Sequence, residues 1–184
     1  IYKNNIPYLE EQNLVELAKS IKTPFYVYSQ KNIRDTFLKL KRVLKKDIYF
    51  AIKANSNQAI IALLNSLGAG VDVVSQEEMK RVLTAGVSPE KIIFEGVGKS
   101  ESSIADAIHY NIRQINVESI EELQLIDAIA SSLNKKPRVG LRINPDIDAN
   151  ILDKISTGRK RDKFGIDFSQ LQEACETLKS LKNI

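Results

Sequence analysis

Runs of β-branched and aromatic residues recur at positions 48–52, 71–74, 91–94, 114–117 and 138–143, with starts 20 to 24 residues apart. Each is followed by apolar residues at helical spacing. Behind the fourth run, Leu123, Ile126, Ala130 and Leu133 stand at i, i+3, i+7 and i+10, one face of a helix. Ser75-x-x-Glu78, Ser119-x-x-Glu122 and Ser169-x-x-Gln172 each match a capping box, in which two side chains satisfy backbone N–H groups that a helix start leaves open. Gly68 and Gly86 stand where helices should stop. Strands alternating with helices at this period predict an α/β fold of parallel βα units with right-handed crossovers. An open doubly wound sheet and a (β/α)8 barrel both remain compatible with the pattern. No GxGxxG opens the first unit, which counts against a dinucleotide fold.

Two segments precede the repeat. Leu14, Leu17, Ala18 and Ile21 predict a helix, and the run 24–28 (PFYVY) a strand that belongs to a second layer. The next helix carries Ile33, Phe37, Leu40 and Leu44 as its expected buried stripe and turns Lys39, Lys41, Arg42 and Lys46 to solvent. Five βα strands are countable, whereas a closed barrel takes eight units and typically about 250 residues. The chain also opens on Ile1. The expectation is therefore a partial barrel over 31–184, led into by the helix and strand of 1–30.

Composition narrows the class rather than the fold. Apolar residues make up 43 % and charged residues 27 % of 184 residues, as in an ordinary globular domain able to bury its own core. A net charge of +4, spread along the chain, is not the clustered footprint of a nucleic-acid binder. The single cysteine, Cys175, excludes a disulfide framework within the chain and CxxC metal or redox sites. No apolar run approaches the ~18 residues of a membrane span, and the first thirty residues are too polar for a signal peptide. These features favour a reducing, cytoplasmic setting.

In parallel α/β folds, reactive groups gather at the carboxyl ends of the strands. Lys53, Ser75, Glu95, Glu118, Arg142 and Asn144 are the polar residues expected there. Lys53 is the sharpest, because it closes the apolar run Tyr49-Phe50-Ala51-Ile52. Desolvation disfavours an ammonium ion and frees an amine able to form a Schiff base. On the residues alone, a surface lysine that snorkels to water is the favoured reading. His109, in a helix, reads as a surface residue, and Cys175 as packing.

The stretch Phe50-Ala51-Ile52-Lys53-Ala54-Asn55, followed by Ile60-Ile61 and Gly68, resembles the pyridoxal-phosphate attachment signature of the group IV decarboxylases, enzymes built on an alanine-racemase-like barrel. Five further stretches resemble the diaminopimelate branch in order and spacing. They are Gly70-Val71-Asp72-Val73-Val74-Ser75 with Glu78, Gly96-Val97-Gly98-Lys99-Ser100, Asn116-Val117-Glu118-Ser119, Leu141-Arg142-Ile143-Asn144-Pro145-Asp146, and Ile155-Ser156-Thr157-Gly158 with Lys163-Phe164-Gly165-Ile166.

The resemblance implies a (β/α)8 TIM barrel, present for about five of eight units, with pyridoxal 5′-phosphate as cofactor. It implies Lys53 as the catalytic lysine covalently attached to that cofactor, with the cofactor as electron sink for the carbanion left by loss of CO2. Asp72 and Arg142 match cofactor-side positions, an acid and a fixed positive charge; Asp72 also reads as a strand-start carboxylate paired with a neighbouring lysine, and Arg142 as a structural strand-end arginine. Glu78 matches too, but completes the Ser75 cap. The loop 155–166, with Arg159-Lys160-Arg161, is either an active-site segment that attracts an anionic substrate or a solvated loop. The implied reaction is decarboxylation of meso-2,6-diaminopimelate to L-lysine in a cytoplasmic homodimer, with no nucleic-acid or membrane partner. Other enzymes of the same fold, acting on arginine or ornithine or racemising alanine, are the alternatives, as is a non-catalytic cofactor-binding protein.

The family commonly carries a histidine just before the ISTG stretch, where this chain has Asn150-Ile151-Leu152-Asp153-Lys154. Its later His-Ile-Gly-Ser, Glu-Pro-Gly-Arg and Cys-Glu-Ser motifs, and its C-terminal β-domain, do not occur in these 184 residues. The half barrel is expected to expose sheet edges and apolar faces, and to be inactive alone.

Overall fold

A computed structural model describes residues 1–147, 157–159 and 162–184. Asn4 and Asn5 both sit at positive φ, 50° and 61°, the backbone of a two-residue hairpin turn. The first thirteen residues therefore form a small antiparallel meander of β1 (Tyr2–Lys3), β2 (Ile6–Leu9) and β3 (Gln12–Asn13). Only the paired asparagines signal strands this short. Asn13 caps α1 (Leu14–Ser20) by accepting from the Val15 and Glu16 N–H groups, and no residue of α1 is buried.

The run 24–28, expected as a strand, is not one. Pro24 lies in a bend, residues 25–28 form no regular element and pair with no strand among the described residues, and Tyr26 is 90 % exposed. Aromatic and β-branched residues favour extended backbone, but a strand also needs a neighbouring edge to accept its hydrogen bonds. In α2 (Gln30–Leu44) the expected stripe is only partly covered. Phe37 is buried, while Leu40 and Leu44 are 47 % and 53 % exposed. The helix lies beside the first sheet strand and rests Ile33 and Phe37 on Ile48, Phe50 and Leu64, leaving an open apolar groove of about 360 Å³.

Five strands make the main sheet: β4 (Tyr49–Ala51), β5 (Gly70–Val73), β6 (Ile92–Phe94), β7 (Gln114–Val117) and β8 (Val139–Leu141). They pair in parallel and in chain order. The crossovers are α3 (Gln58–Ser66), α4 (Gln76–Thr84), α5 (Glu101–Tyr110) and α6 (Ile120–Ser132). An order that never reverses is that of a barrel wall, whereas a doubly wound sheet reverses at its switch point. The wall continues through β9 (Ile143–Asn144), which pairs in parallel with β10 (Ile166–Asp167), a strand that the repeat did not announce. The last helix is α7 (Leu171–Ser180), and beyond it Asn183 is held by the Asp127 carboxylate on α6.

The pleat sorts the residues. Val71, Val73, Ile92, Phe94, Ile115 and Val117 point to the helices and are at most 1 % exposed. They meet Ile61, Met79, Ile104, Leu123 and Ile126 in one continuous core. Asp72, Gln114, Asn116 and Gly140 alternate with them on the opposite face and are half-buried. This two-residue period is unlike the unbroken apolar runs of a sheet dry on both faces.

Two of the three expected capping boxes form. Ser75 accepts from the Glu78 N–H and Ser119 from the Glu122 N–H, while the two glutamates accept from the Val74 and Glu118 N–H groups. Gly68 and Gly86 end their helices at φ of 93° and 83°. The third box does not form: Asp167, at the end of β10, accepts from both the N–H and the hydroxyl of Ser169. A nearby carboxylate is the stronger acceptor, so Ser169 is consumed as a donor and α7 begins at Leu171 without a side-chain cap. Ser119→Ala should cost about 1 kcal/mol in a denaturant melt and Ser169→Ala only a few tenths. Equal losses would contradict this assignment of caps.

Candidate active site

All five carboxyl ends of the main sheet open on one side, and the chain's strand-end polar residues divide there into two shells. Lys53 stands in the tight turn Ile52–Ala54 that follows β4. Asp72 is the third residue of β5, Glu95 follows β6, Asn116 lies in β7, and Arg142 links β8 to β9. These five line a single cavity of about 510 Å³, bounded on one side by Thr157 and Phe164. Gly140 lies in its wall, where an added Cβ would come within 2.5 Å of Gln114 Nε2 and 2.6 Å of Asn116 Oδ1. The glycine thus leaves room for a row of polar side chains in which Gln114 donates to Asn116 and Asn116 to Glu95.

Lys53, Asp72 and Arg142 are therefore brought together. Lys53 is exposed rather than desolvated, because it sits one turn beyond the last paired residue of β4 and faces the open cavity. The expected burial of its amine is not found in this chain. Asp72 is the perturbed group: burial, with the Glu95 carboxylate adding to it, raises its pKa from 3.8 to about 6 against the opposing pull of Lys53 and Arg142. Its Oδ1 is buried and has no hydrogen-bond partner among the described residues. Arg142 donates from Nη1 to Glu118 Oε1 at 2.9 Å, and its guanidinium lies 4.7 Å from the centre of the Phe164 ring.

Ser75, Glu118 and Asn144 stand behind the cavity. Ser75 and Glu78 cap α4, and Asn144 Nδ2 donates to the Arg159 and Phe164 carbonyls, so that the chain after Thr157 is tied to the strand ends. Lys99, which the sequence marked only as part of a motif, is a further tie. Its side chain is 1 % exposed and Nζ donates to the Gly96 and Asn116 carbonyls and to Glu122 at 2.6, 2.7 and 2.8 Å. Its neighbours Gly96 and Gly98, both at positive φ, were the available signal of a specially shaped loop. His109 is exposed on α5 beside Tyr110, and Cys175 is half-buried on α7. Lys160, Arg161 and the segment 148–156, with Ile155 and Ser156 and the departure at 150–154, lie outside the described residues.

A second polar cavity of about 530 Å³ lies at the amino ends of the strands, beside Lys91, Arg113 and Arg138. It receives no residue from a strand's carboxyl end, where catalytic groups of such walls are placed.

A parallel barrel wall that gathers an amine, a perturbed carboxyl and a guanidinium at its carboxyl ends has the layout of a barrel enzyme's cofactor-binding domain. The chain belongs to the pyridoxal-dependent decarboxylases: the profile of that family's pyridoxal binding domain matches residues 30–184. Over its whole length the chain is 39 % identical to a diaminopimelate decarboxylase of Aquifex aeolicus, and over 88 % of it, 47 % identical to one of Helicobacter pylori. The crystal structure of the Helicobacter pylori diaminopimelate decarboxylase complexed with L-lysine superposes with a TM-score of 0.89 at 44 % identity over 93 % of the chain. A viral arginine decarboxylase, at 23 % identity and a TM-score of 0.78, shares the fold. The chain spans 44 % and 40 % of the two curated relatives and 44 % of the lysine-bound structure. Among the described residues, no helix is long and apolar enough to cross a membrane.

Because Asp72 titrates near 6 when folded and near 3.8 when unfolded, the folded state holds the extra proton between those values, and stability falls as pH rises through them. Asp72→Asn should be about 1 kcal/mol more stable than the parent at about pH 8, a figure discounted for the half-open position, and no more stable at about pH 4. Thermal melts at the two pH values check this, and an equal gain at both would contradict it.

Proposed function

We propose that the whole protein is a pyridoxal-phosphate-dependent carboxy-lyase that converts meso-2,6-diaminopimelate to L-lysine and CO2. The observation that carries the reading is the convergence of Lys53, Asp72 and Arg142 on one cavity, in a chain 47 % identical to a protein named for that reaction. The lysine bound in the Helicobacter pylori relative supports a substrate whose product is lysine. The likeness to the arginine decarboxylase reaches only to the fold, so arginine and ornithine are disfavoured.

The residues present fit the cofactor. The cavity of about 510 Å³ lies within the usual size of small-molecule sites. Lys53 offers a primary amine for covalent attachment, and Arg142 a fixed positive charge held from behind by Glu118. Asp72 Oδ1, buried and without a protein partner among the described residues, is left for a ligand to satisfy. When bound, pyridoxal phosphate supplies an electron sink as the bond to the departing carboxylate breaks and a proton takes its place.

This chain's own groups then have separable tasks. Lys53 holds the cofactor, and Arg142 orients it by charge. Asp72, with a pKa near 6, holds or releases a proton at Oδ1 close to neutral pH. The same reading keeps residues 1–30 as a lead-in segment and 31–184 as the partial barrel, supported by the start of the family match at residue 30. It also sets the whole protein in the cytoplasm as a homodimer, which the family resemblance supports.

The test is CO2 release by the whole protein, with pyridoxal phosphate, from meso-diaminopimelate, arginine and ornithine. Diaminopimelate should be turned over at least about a hundredfold faster than either other amino acid, a difference of roughly 3 kcal/mol in barrier. Lys53→Ala should remove the activity. Comparable rates on arginine or ornithine, or an active Lys53→Ala variant, would overturn the reading.

A further inference from the structure

Glu118 is the residue through which the wall of the cavity is organised, although it does not line the cavity itself. Its side chain is 5 % exposed, and both oxygens are engaged. Oε1 accepts from the Gly96 N–H at 3.1 Å and from Arg142 Nη1 at 2.9 Å, and Oε2 accepts from the Gly165 N–H at 2.8 Å. One carboxylate therefore joins the loop after β6, the strand end that bears Arg142, and the turn that leads into β10. Gly165 sits at φ 77°, and a Cβ there would lie 3.1 Å from the Arg142 carbonyl, so the turn is drawn close against the arginine's own backbone.

A neutral side chain of the same shape keeps one accepting oxygen and turns an NH2 donor toward the remaining N–H. It carries no charge to set against a guanidinium, and a buried carboxylate is costly to keep unless a charge answers it. Arg142 is 31 % exposed at its side chain and lines the cavity, with its guanidinium over the Phe164 ring. Glu118 engages Nη1, while a guanidinium carries five N–H donors, so the pair fixes the fork without exhausting it.

We propose that Glu118 is a positioning residue that holds the Arg142 guanidinium in place for binding of the phosphorylated cofactor. The inference rests on the reading of the cavity as a pyridoxal phosphate site. It assigns Glu118 no contact with that ligand, and its effect is transmitted through Arg142.

The experiment is a titration of the whole protein with pyridoxal 5′-phosphate, followed by the visible absorbance of the bound cofactor, for the parent, Glu118→Gln, Arg142→Gln and the double variant. Glu118→Gln should bind about tenfold more weakly, as expected for loss of one charge-assisted contact. In the Arg142→Gln background the same substitution should change affinity by less than about twofold, because contacting residues couple. A merely structural role would weaken binding equally in both backgrounds, and that additive result, or parent-like affinity in Glu118→Gln, overturns the proposal. If Glu118→Gln does not fold, Glu118→Asp, which keeps the charge but shortens its reach, is compared in the same two backgrounds with the same expectation. Absence of saturable binding in the parent would overturn the cofactor reading and this proposal together, whereas binding in the parent without coupling overturns this proposal alone.

Discussion

Parallel pairing in unbroken chain order is the constraint from which the site follows. Each strand must return to the same starting side, so every carboxyl end faces the same way and every crossover helix lies on one face. The helices bury Val71, Val73, Ile92, Phe94, Ile115 and Val117. The two-residue pleat then sends the intervening side chains, Asp72, Gln114 and Asn116, to the other face. Polar residues 20 or more positions apart thereby become neighbours without any local signal that they should meet.

Electrostatics at those ends is arranged as much behind the cavity as in it. Asp72 and Glu95 are like charges near one another, and burial pushes Asp72 toward its protonated form. Arg142 is spared such competition by Glu118, whose remaining capacity is taken by backbone N–H groups. Lys99 plays a parallel part for the loop after β6, where it satisfies two carbonyls and Glu122 from a dry position. The cavity wall is thus stiffened by two buried ions that do not line it, and Lys53 is left exposed.

Legibility in the sequence followed the range of the interactions. The five strands, the helices between them and the Ser75 and Ser119 caps rest on contacts within a few residues, and all were readable from period and spacing. The 24–28 segment was misread because a strand needs an edge that is lacking among the described residues, and the Ser169 cap because a carboxylate two residues back, Asp167, outcompetes the expected helix N–H for the serine. Leu40 and Leu44 kept a helical period yet stayed exposed, since amphipathicity states only that a face can be covered. Lys53 and Arg142 were located by their place at strand ends and given their roles by likeness to a family, which alone singled out Asp72. The ties made by Glu118 and Lys99 could not be located so, because, apart from the Gly96 carbonyl three residues before Lys99, their partners lie 17 to 47 residues away.

The central claim is that this wall already presents a specific attachment point for pyridoxal phosphate. Incubation of the 184-residue chain with the cofactor, borohydride reduction and peptide mass mapping tests it most directly. A stoichiometric adduct on Lys53, lost in Lys53→Ala without transfer to another lysine, is the predicted result. Labelling scattered over exposed lysines such as Lys39 and Lys46, or none at Lys53, would contradict it.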